Sequence, residues 1–280
     1  MKAARLYEYD PAMNVQLKIE TVAPPTITAP DEVIVKVGAA GLCRTDLHII
    51  EGVWKNIMDV EGSLLPYTMG HENAGWVEDV GSAVTSVKPG DAVICHPFNA
   101  CGICLSCRYG HDMYCDHGKF PGLGLDGGFA EYFKTNERSV IKLNTGITPL
   151  SVPPMADAGI TAYRAAKKAA RLSYPGSWTV LLGIGGLGHI ALQVLKHTCG
   201  ARVIAVDQEP GAQQLARELG ADIVIADRFL PRSCRPRWLR ADRGFLEREG
   251  GVALYLGARR VDTVAQDQGE HGWWKGGSRR

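Results

Sequence analysis

Four cysteines in the middle of the chain have the spacing of a metal site. They lie within 15 residues, at Cys101, Cys104, Cys107 and Cys115, in a stretch whose glycines, Gly102 and Gly110, can bend the backbone. Four thiolates this close can form a tetrahedral site around zinc that leaves no position for a substrate. The spacing therefore predicts a structural zinc ion. The alternatives are four buried thiols without a metal and an iron–sulfur cluster, although the run lacks the second group of ligands that ferredoxin-type spacing would have.

A second group of possible ligands lies earlier in the chain. Cys43 opens the polar string Cys43-Arg44-Thr45-Asp46-Leu47-His48, and His71 stands beside Glu72 after a glycine. A catalytic zinc needs about three protein ligands and one open position, and a cysteine with a histidine supplies one soft and one borderline donor. Either residue alone is more often part of a core. Their combination in one region predicts a catalytic zinc site.

A glycine-rich turn, Gly183-Ile184-Gly185-Gly186-Leu187-Gly188, follows a predicted strand and opens a predicted helix. Gly183 permits the tight turn, Gly185 lets a pyrophosphate approach the backbone, and Gly188 allows the helix to pack closely on the strand. The N–H groups of the helix then hold the anion. The pattern predicts a dinucleotide site that includes Gly183, Gly185, Gly186, Leu187 and Gly188.

Asp207 ends the next predicted strand, 19 residues beyond Gly188. An acid at this place accepts hydrogen bonds from the ribose hydroxyls and repels a 2′-phosphate. The pattern favours NAD over NADP. A solvated strand end is the alternative interpretation of Asp207.

Two kinds of pattern surround these groups. From Val33 to about Lys142, short β-branched runs separated by Gly, Pro and Asp predict an all-β, barrel-like domain. From about Pro154, strands and helices alternate, which predicts a parallel, doubly wound sheet. The predicted elements of this second part are helix Ala156–Ala170, strand Trp178–Leu182, helix Leu187–Thr198, strand Arg202–Asp207, helix Gly211–Leu219 and strand Ile223–Ala226. The predicted domains are residues 1–150 and 151–280.

The composition is that of a globular chain of about two domains, with 280 residues, 45% of them hydrophobic and 22% charged. A net charge of +1 argues against a nucleic-acid partner, which would require a basic surface. The sequence shows neither a secretory leader nor an apolar run long enough to cross a membrane, so we expect a cytoplasmic protein. In that compartment the eight cysteines serve as metal ligands or buried thiols.

Together and in this order, the three motifs resemble those of the zinc-containing medium-chain alcohol dehydrogenase family, from Met1 to about Asp227. The resemblance implies an α/β two-domain fold, with an N-terminal GroES-like β-barrel catalytic domain and a Rossmann NAD-binding domain. It implies two Zn²⁺ ions per chain, one catalytic and one structural, and NAD as the cofactor. It also implies a small alcohol, aldehyde or ketone as the substrate, and a homo-oligomer.

The resemblance also assigns metal ligands. Cys43 and His71 match the catalytic zinc ligands, and Asp157 takes the third position, where many members of the family have Cys and some have Asp. A carboxylate keeps the formal charge that a thiolate would bring. Glu72 matches a carboxylate beside the metal. The alternative for Asp157 is an acid stabilised at the N-terminus of a helix.

Further residues match the reaction path of the family. Thr45 and His48 match the proton relay, Asp46 the group that orients His71, and Thr161 the residue beside the nicotinamide ring. The implied reaction interconverts a primary or secondary alcohol and its aldehyde or ketone by hydride transfer to NAD⁺, and the proton leaves through Thr45 and His48.

The chain departs from this resemblance after Asp227. Residues 228–280 hold 12 Lys and Arg against 6 Asp and Glu, whereas residues 1–227 hold 19 against 24. Only Gly250–Gly257 suggests a further strand there. We therefore expect an incomplete Rossmann domain, truncated or frame-shifted beyond about residue 227. The alternatives for the function are an inactive zinc-binding remnant and a polyol or aldehyde reductase of the same family.

Overall fold

The computed structural model describes residues 1–14 and 17–226, together with the backbone of one later strand, 252–255. The chain forms two compact units, one comprising Met1–Arg164 and the other beginning at Ala165. Among the described residues, no helix has the length and apolar character needed to cross a membrane.

The first unit is built on antiparallel β-sheets. Its strands are β1 (Lys2–Leu6), β2 (Lys18–Thr21), β3 (Glu32–Gly41), β4 (Tyr67–Thr68), β5 (Glu72–Val80), β6 (Ala92–Cys95), β7 (Tyr132–Asn136) and β8 (Val140–Lys142). Five strands form a sheet in the order β7-β3-β5-β6-β8, and three form a sheet in the order β2-β1-β4. Alternate side chains of a strand point to one face, and Val33, Val35, Val77, Val93 and Phe133 are buried in one core. The predicted barrel-like organisation of β-strands in this region is confirmed, but the region also contains three short helices and is not all-β.

Short helices connect these strands. They are α1 (Arg44–Ile50), α2 (Lys55–Met58) and α3 (Leu105–Arg108), with single 3-10 turns at Asp112–Tyr114 and Glu137–Ser139. After β8, a third 3-10 turn, Pro153–Met155, precedes the longer helix α4 (Ala158–Ala170), whose residues belong in part to each unit. Ile49 and Ile50 of α1 pack with Leu6, Tyr67 and Met69 in a second core. That core holds the connection from β3 to α1, which carries Cys43, and the connection from β4 to β5, which carries His71.

The second unit contains a parallel sheet. Its elements are β9 (Trp178–Leu182), α5 (Gly188–Thr198), β10 (Arg202–Val206), α6 (Pro210–Glu218), β11 (Ile223–Ile225) and β12 (Val252–Tyr255). The strand order is β11-β10-β9-β12, and every neighbouring pair is parallel. Val180, Leu181, Val203 and Ala205 are buried, as expected of strands covered on both faces. The predicted doubly wound sheet is confirmed.

The sheet order places the chain reversal beside β9. β10 and β11 extend the sheet on one side of β9, and β12 lies on the other side. In such sheets the ligand crevice lies at the carboxyl ends of the strands where the order reverses. β12 coincides with the further strand suggested at Gly250–Gly257; the other predictions for residues 228–280 concern residues outside the described part.

The predicted boundaries of the elements from α4 to β11 differ from the observed ones by at most two residues. α4 begins at Ala158, two residues later than predicted, because the 3-10 turn Pro153–Met155 precedes it. β10 ends at Val206, so Asp207 follows the strand and is not part of it. Both differences lie at element ends, where patterns of hydrophobicity carry the least information.

Candidate metal centres and dinucleotide-binding turn

The structure brings Cys43, His71 and Asp157 together from three distant parts of the first unit. Cys43 caps the start of α1, His71 lies between β4 and β5, and Asp157 immediately precedes α4. Oδ2 of Asp157 is 3.3 Å from Nε2 of His71 and 3.8 Å from Sγ of Cys43. The three donor atoms all lie within 4.8 Å of one another, so a single ion could contact them all.

His71 is oriented by a buried carboxylate. Nδ1 of His71 lies 3.1 Å from Oδ1 of Asp46, and both side chains are buried. An ionised carboxylate can only accept, so Nδ1 donates and Nε2 of a neutral ring carries the free lone pair. The other oxygen of Asp46 accepts the backbone N–H of Cys43 at 2.8 Å. One carboxylate therefore holds both the ring of His71 and the backbone of Cys43.

Nε2 of His71 faces the other two donor atoms of this cluster. It is buried and makes no hydrogen bond to the described residues, and the oxygen of Asp157 lies within ion-pair distance of it, at 3.3 Å. An unsatisfied buried polar atom costs roughly 1–3 kcal/mol. Burial lowers the pKa of His71, but the side chains of Asp157, Asp46 and Cys43 together raise it to about 11. The surroundings thus favour a positive charge at Nε2, from a proton or from a metal ion.

The donor set fits zinc. A thiolate, an imidazole nitrogen and a carboxylate oxygen are all zinc ligands in proteins, and three of them leave a fourth tetrahedral position open. Asp157 stands where a helix-capping acid would stand, since its carbonyl accepts the backbone N–H of Thr161. Its carboxylate nevertheless faces the sulfur of Cys43 and the ring of His71.

Glu72 is buried next to His71. Burial raises the pKa of Glu72, the Ala158 N–H that donates to its Oε1 at 3.1 Å opposes that rise, and the charge of Asp157 adds to it. A side chain on Gly41 would clash with Oε2 of Glu72, so the carboxylate occupies space that only glycine leaves free. Glu72 is therefore a buried acid within the same group of charges as Asp157 and His71.

The other residues assigned by the resemblance lie on two helices. Thr45 and His48 are half-buried on α1, and Thr161 is exposed in the first turn of α4. Their roles in proton transfer and in contacting the nicotinamide stay predictions.

Sequence reasoning missed two neighbours of these residues. Glu51 places Oε2 2.8 Å from Nδ1 of His48, and the ring of Phe120 meets that of His71 edge-on, with centroids 5.8 Å apart. The three-residue spacing of His48 and Glu51 on a helix could have revealed the first contact. No pattern in the sequence relates Phe120 to His71, because the two meet only in the folded chain.

The four cysteines of the second cluster also lie together. Their sulfur atoms are all within 4.8 Å of one another, and those of Cys104 and Cys107 are 3.5 Å apart. Zinc–sulfur bonds of about 2.3 Å in a tetrahedron imply sulfur atoms about 3.8 Å apart. The seven described cysteines are all free thiols. The cluster therefore has the dimensions of a tetrathiolate metal site.

Backbone N–H groups point at these sulfur atoms. The N–H of Cys104 donates to Sγ of Cys101 at 3.4 Å, and the N–H of Cys101 donates to Sγ of Cys115 at 3.3 Å. Backbone N–H groups of Cys107 and Asp116 lower the pKa of Cys104 to about 6, whereas burial raises the pKa of Cys107 to about 12. The fold therefore supplies hydrogen bonds to thiolates, and the thiol with the highest pKa is the one that most needs a bound cation to ionise.

The glycine-rich turn after β9 has the shape that a dinucleotide site needs. Gly183 has φ of +86°, which favours glycine. A side chain on Gly188 would clash with the carbonyl oxygen of Gly183, whereas side chains on Gly185 and Gly186 would meet open space. Leu187 caps α5 at the end of this turn. The turn is tight on its inner side, and its outer side leaves room for a ligand at the start of a helix.

Asp207, which immediately follows β10, holds this turn. Its Oδ2 accepts the N–H of Ile184 at 2.7 Å, and its Oδ1 accepts the N–H of Glu209 at 2.9 Å. Each carboxylate oxygen keeps a further lone pair. Asp207 is therefore an ordered part of the turn, and the alternative of a merely solvated strand end does not describe it.

The sequence is similar to those of known proteins. The family model of the alcohol dehydrogenase GroES-like domain matches residues 29–145. An alcohol dehydrogenase of Geobacillus stearothermophilus is 41% identical over 226 residues, which are 80% of this chain and 63% of that relative. An NAD-dependent alcohol dehydrogenase of Sulfurisphaera tokodaii is 36% identical over 228 residues, 80% of this chain and 64% of the relative.

A solved structure is similar as well. The alcohol dehydrogenase of the hyperthermophilic archaeon Aeropyrum pernix superposes with a TM-score of 0.77 at 47% identity, covering 87% of this chain and 69% of that one. The fold is thus a GroES-like domain followed by a Rossmann-type parallel sheet, with both expectations confirmed. This chain belongs to the zinc-containing medium-chain alcohol dehydrogenase family. It spans slightly less than two thirds of the length of the Geobacillus and Sulfurisphaera relatives.

Proposed function

We propose that this chain interconverts a small alcohol and its aldehyde or ketone with NAD as the hydride carrier, using one zinc ion for the reaction and a second for structure. The observation that carries the proposal is the buried, unpartnered Nε2 of His71, which faces a thiol and a carboxylate. Membership of a family whose members are named alcohol dehydrogenases supports it.

In this proposal Cys43, His71 and Asp157 hold the catalytic zinc, and Cys101, Cys104, Cys107 and Cys115 hold the structural one. Bound zinc would supply Lewis acidity to an alcohol oxygen, and a bound nicotinamide ring would accept the hydride. Asp46 keeps Nε2 of His71 directed at the other two donors. Two negative ligands balance the charge of a zinc dication, which suits a site that must retain an electrophilic metal.

In this proposal, residues of α1 transfer the proton from the alcohol to water. Oxidation of an alcohol releases a hydride and a proton, and the proton needs a path to water. The hydroxyl of Thr45 can pass it on, and the imidazole of His48, about one-third exposed, can deliver it to solvent. Glu72 adds a buried acid near the ligands.

The turn Gly183–Gly188 would bind the pyrophosphate with N–H groups of α5, and Asp207 would accept hydrogen bonds from the adenosine ribose. The negative charge of Asp207 would repel a 2′-phosphate. Asp207→Ala should shift the ratio of Kd values for NAD and NADP toward NADP, measured by titration of each nucleotide. Gln214→Ala, on the neighbouring helix α6, is the control, because the side chain of Gln214 bonds to Glu218 and not to Asp207. An unchanged ratio would contradict the role of Asp207.

The function is tested on the full chain purified without added metal. We expect about two zinc ions per chain, since the described residues form two ligand sets, and NADH formation with simple primary or secondary alcohols. Polyols and aldehydes in the same assay distinguish the reductase alternatives. Zinc near two without turnover of any of these substrates would favour an inactive zinc-binding remnant, and zinc near zero would contradict both metal sites.

A further inference from the structure

Glu51, the residue that follows helix α1, is hydrogen-bonded to His48 but is not part of the proposed proton path. Oε2 of Glu51 lies 2.8 Å from Nδ1 of His48, and Oε1 of the same carboxylate lies 3.7 Å from Nη2 of Arg44. Residues spaced by four and three positions share one face of a helix. Glu51 is therefore held between Arg44 and His48, with its carboxylate turned toward the imidazole.

This contact determines which nitrogen of His48 carries the proton. An ionised carboxylate has no proton to donate, so Nδ1 of His48 must donate. A neutral imidazole carries only one N–H, and the hydrogen bond at one nitrogen selects the tautomer. Nε2 then has a free lone pair and is the atom that can accept a proton.

We infer that Glu51 is a positioning residue, which keeps His48 in the Nδ1–H tautomer so that Nε2 can take the proton released when the alcohol is oxidised. The inference rests on the proposed function and adds to it a residue that acts through His48. In the opposite tautomer, Nε2 would already hold a hydrogen and could not accept another.

Local stability gives little reason for an acid at this place. The side chains of His48 and Glu51 are 34% and 24% exposed, and helix pairs of this kind contribute little because solvent screens them. Glu51 also caps the C-terminus of α1, where the helix dipole disfavours a negative charge. Removing its carboxylate should therefore leave folding nearly unchanged, which makes a functional test clean.

The test uses the zinc-loaded full chain with histidine labelled by ¹⁵N. At a pH above the usual histidine pKa of about 6.5, the ¹⁵N shifts of the two ring nitrogens report which one is protonated; a His48→Gln spectrum assigns the signals. We expect Nδ1–H in the wild type and predominantly Nε2–H in Glu51→Ala. The kcat for alcohol oxidation should fall about tenfold in Glu51→Ala, a modest share of the effect of a general base, with KM, zinc content and thermal midpoint unchanged.

Glu78→Ala is the matched control, because it removes the same charge from an exposed position on β5. It should keep the tautomer and the kcat of the wild type. An Nε2–H tautomer in the wild type, an unchanged tautomer in Glu51→Ala, or equal kcat values for the two would overturn the inference. A wild-type chain that oxidises no alcohol would contradict the proposed function instead, and the tautomer comparison would still decide whether Glu51 positions the ring.

Discussion

The two candidate metal clusters of the first unit are built in opposite ways. The four-cysteine cluster takes all its donors from residues 101–115, whereas the other takes Cys43, His71 and Asp157 from three separate connections. The first consists of four identical donors with backbone N–H groups aimed at the sulfur atoms. The second consists of three different donors held by buried carboxylates, and its histidine keeps an unpartnered nitrogen.

Because of this difference, the four-cysteine cluster suits a role in stability and the other cluster suits a role in catalysis. A local, fully coordinated site ties down one segment and can form as soon as the metal binds. A site assembled from distant residues exists only when the surrounding sheets have packed, but it can combine unlike donors and leave one position open. We therefore expect substitutions in the two clusters to affect different properties.

The largest expected effect is on stability, from Cys107→Ala in the four-cysteine cluster. Structural zinc contributes roughly 10–16 kcal/mol of apparent binding free energy in small zinc domains, so losing one of four ligands should cost several kcal/mol. Unfolding by guanidinium and zinc analysis measure this, and the zinc content should fall by one ion per chain. Cys95→Ala is the control, since Cys95 is equally buried but lies outside both clusters. Equal losses in the two variants, with zinc retained in both, would contradict a structural metal site.

In the other cluster the main loss should be activity. Cys43→Ala removes a ligand from the proposed catalytic site, and a Lewis acid supplies several kcal/mol of transition-state stabilisation. We expect kcat/KM to fall by about a thousandfold or more, one zinc ion to be lost, and the free energy of unfolding to change much less than in Cys107→Ala. Cys199→Ala, in the second unit, is the control. A Cys43→Ala protein that kept both ions and most of its activity would show that Cys43 is not a ligand of a catalytic metal site.

The four-cysteine cluster is easier to predict from the sequence than the other cluster, because its donors lie close together in the chain. The cysteine spacing and the strand–turn–helix pattern around Gly183–Gly188 are local, so they indicate a site before any fold is known. The approach of Asp157 to Cys43 joins residues 114 positions apart, and only the resemblance to a family suggested it. The edge contact of Phe120 with His71 depends on how loops pack, which residue types alone do not encode.

Asp46→Asn should have an intermediate effect. The side chain of Asn has one oxygen and one nitrogen in place of the two carboxylate oxygens. If the oxygen faces His71 and accepts the hydrogen of Nδ1, the nitrogen replaces Oδ2 and cannot accept a hydrogen bond from the backbone N–H of Cys43. Loss of such a supporting carboxylate typically costs about 10–100-fold in metal affinity or activity. Competition with a chelator measures the zinc affinity. Asp59→Asn is the control, because Asp59 is also buried but bonds to Tyr9 and Leu64; an equal loss in both variants would point to general destabilisation.

The smallest effect should come from removing the ion pair between Arg138 and Asp112, which lies within the segment 101–115 that holds the four cysteines. Arg138 donates through Nε and Nη2 to the two oxygens of Asp112, at 3.0 and 2.9 Å. The side chains are 44% and 33% exposed, unlike the fully buried Asp46 and His71. Water screens an exposed pair, so Arg138→Ala should lower the free energy of unfolding by less than about 1 kcal/mol, with both zinc ions retained.

A double-mutant cycle with Asp112→Ala isolates the contribution of that pair, since each single change also alters packing. We expect a coupling energy below about 1 kcal/mol. If Arg138→Ala instead lowered stability as much as Cys107→Ala, or released a zinc ion, the segment 101–115 would depend on its surface contacts for its shape. The four-cysteine cluster would then, like the other cluster, require the rest of the fold to hold its donors in place.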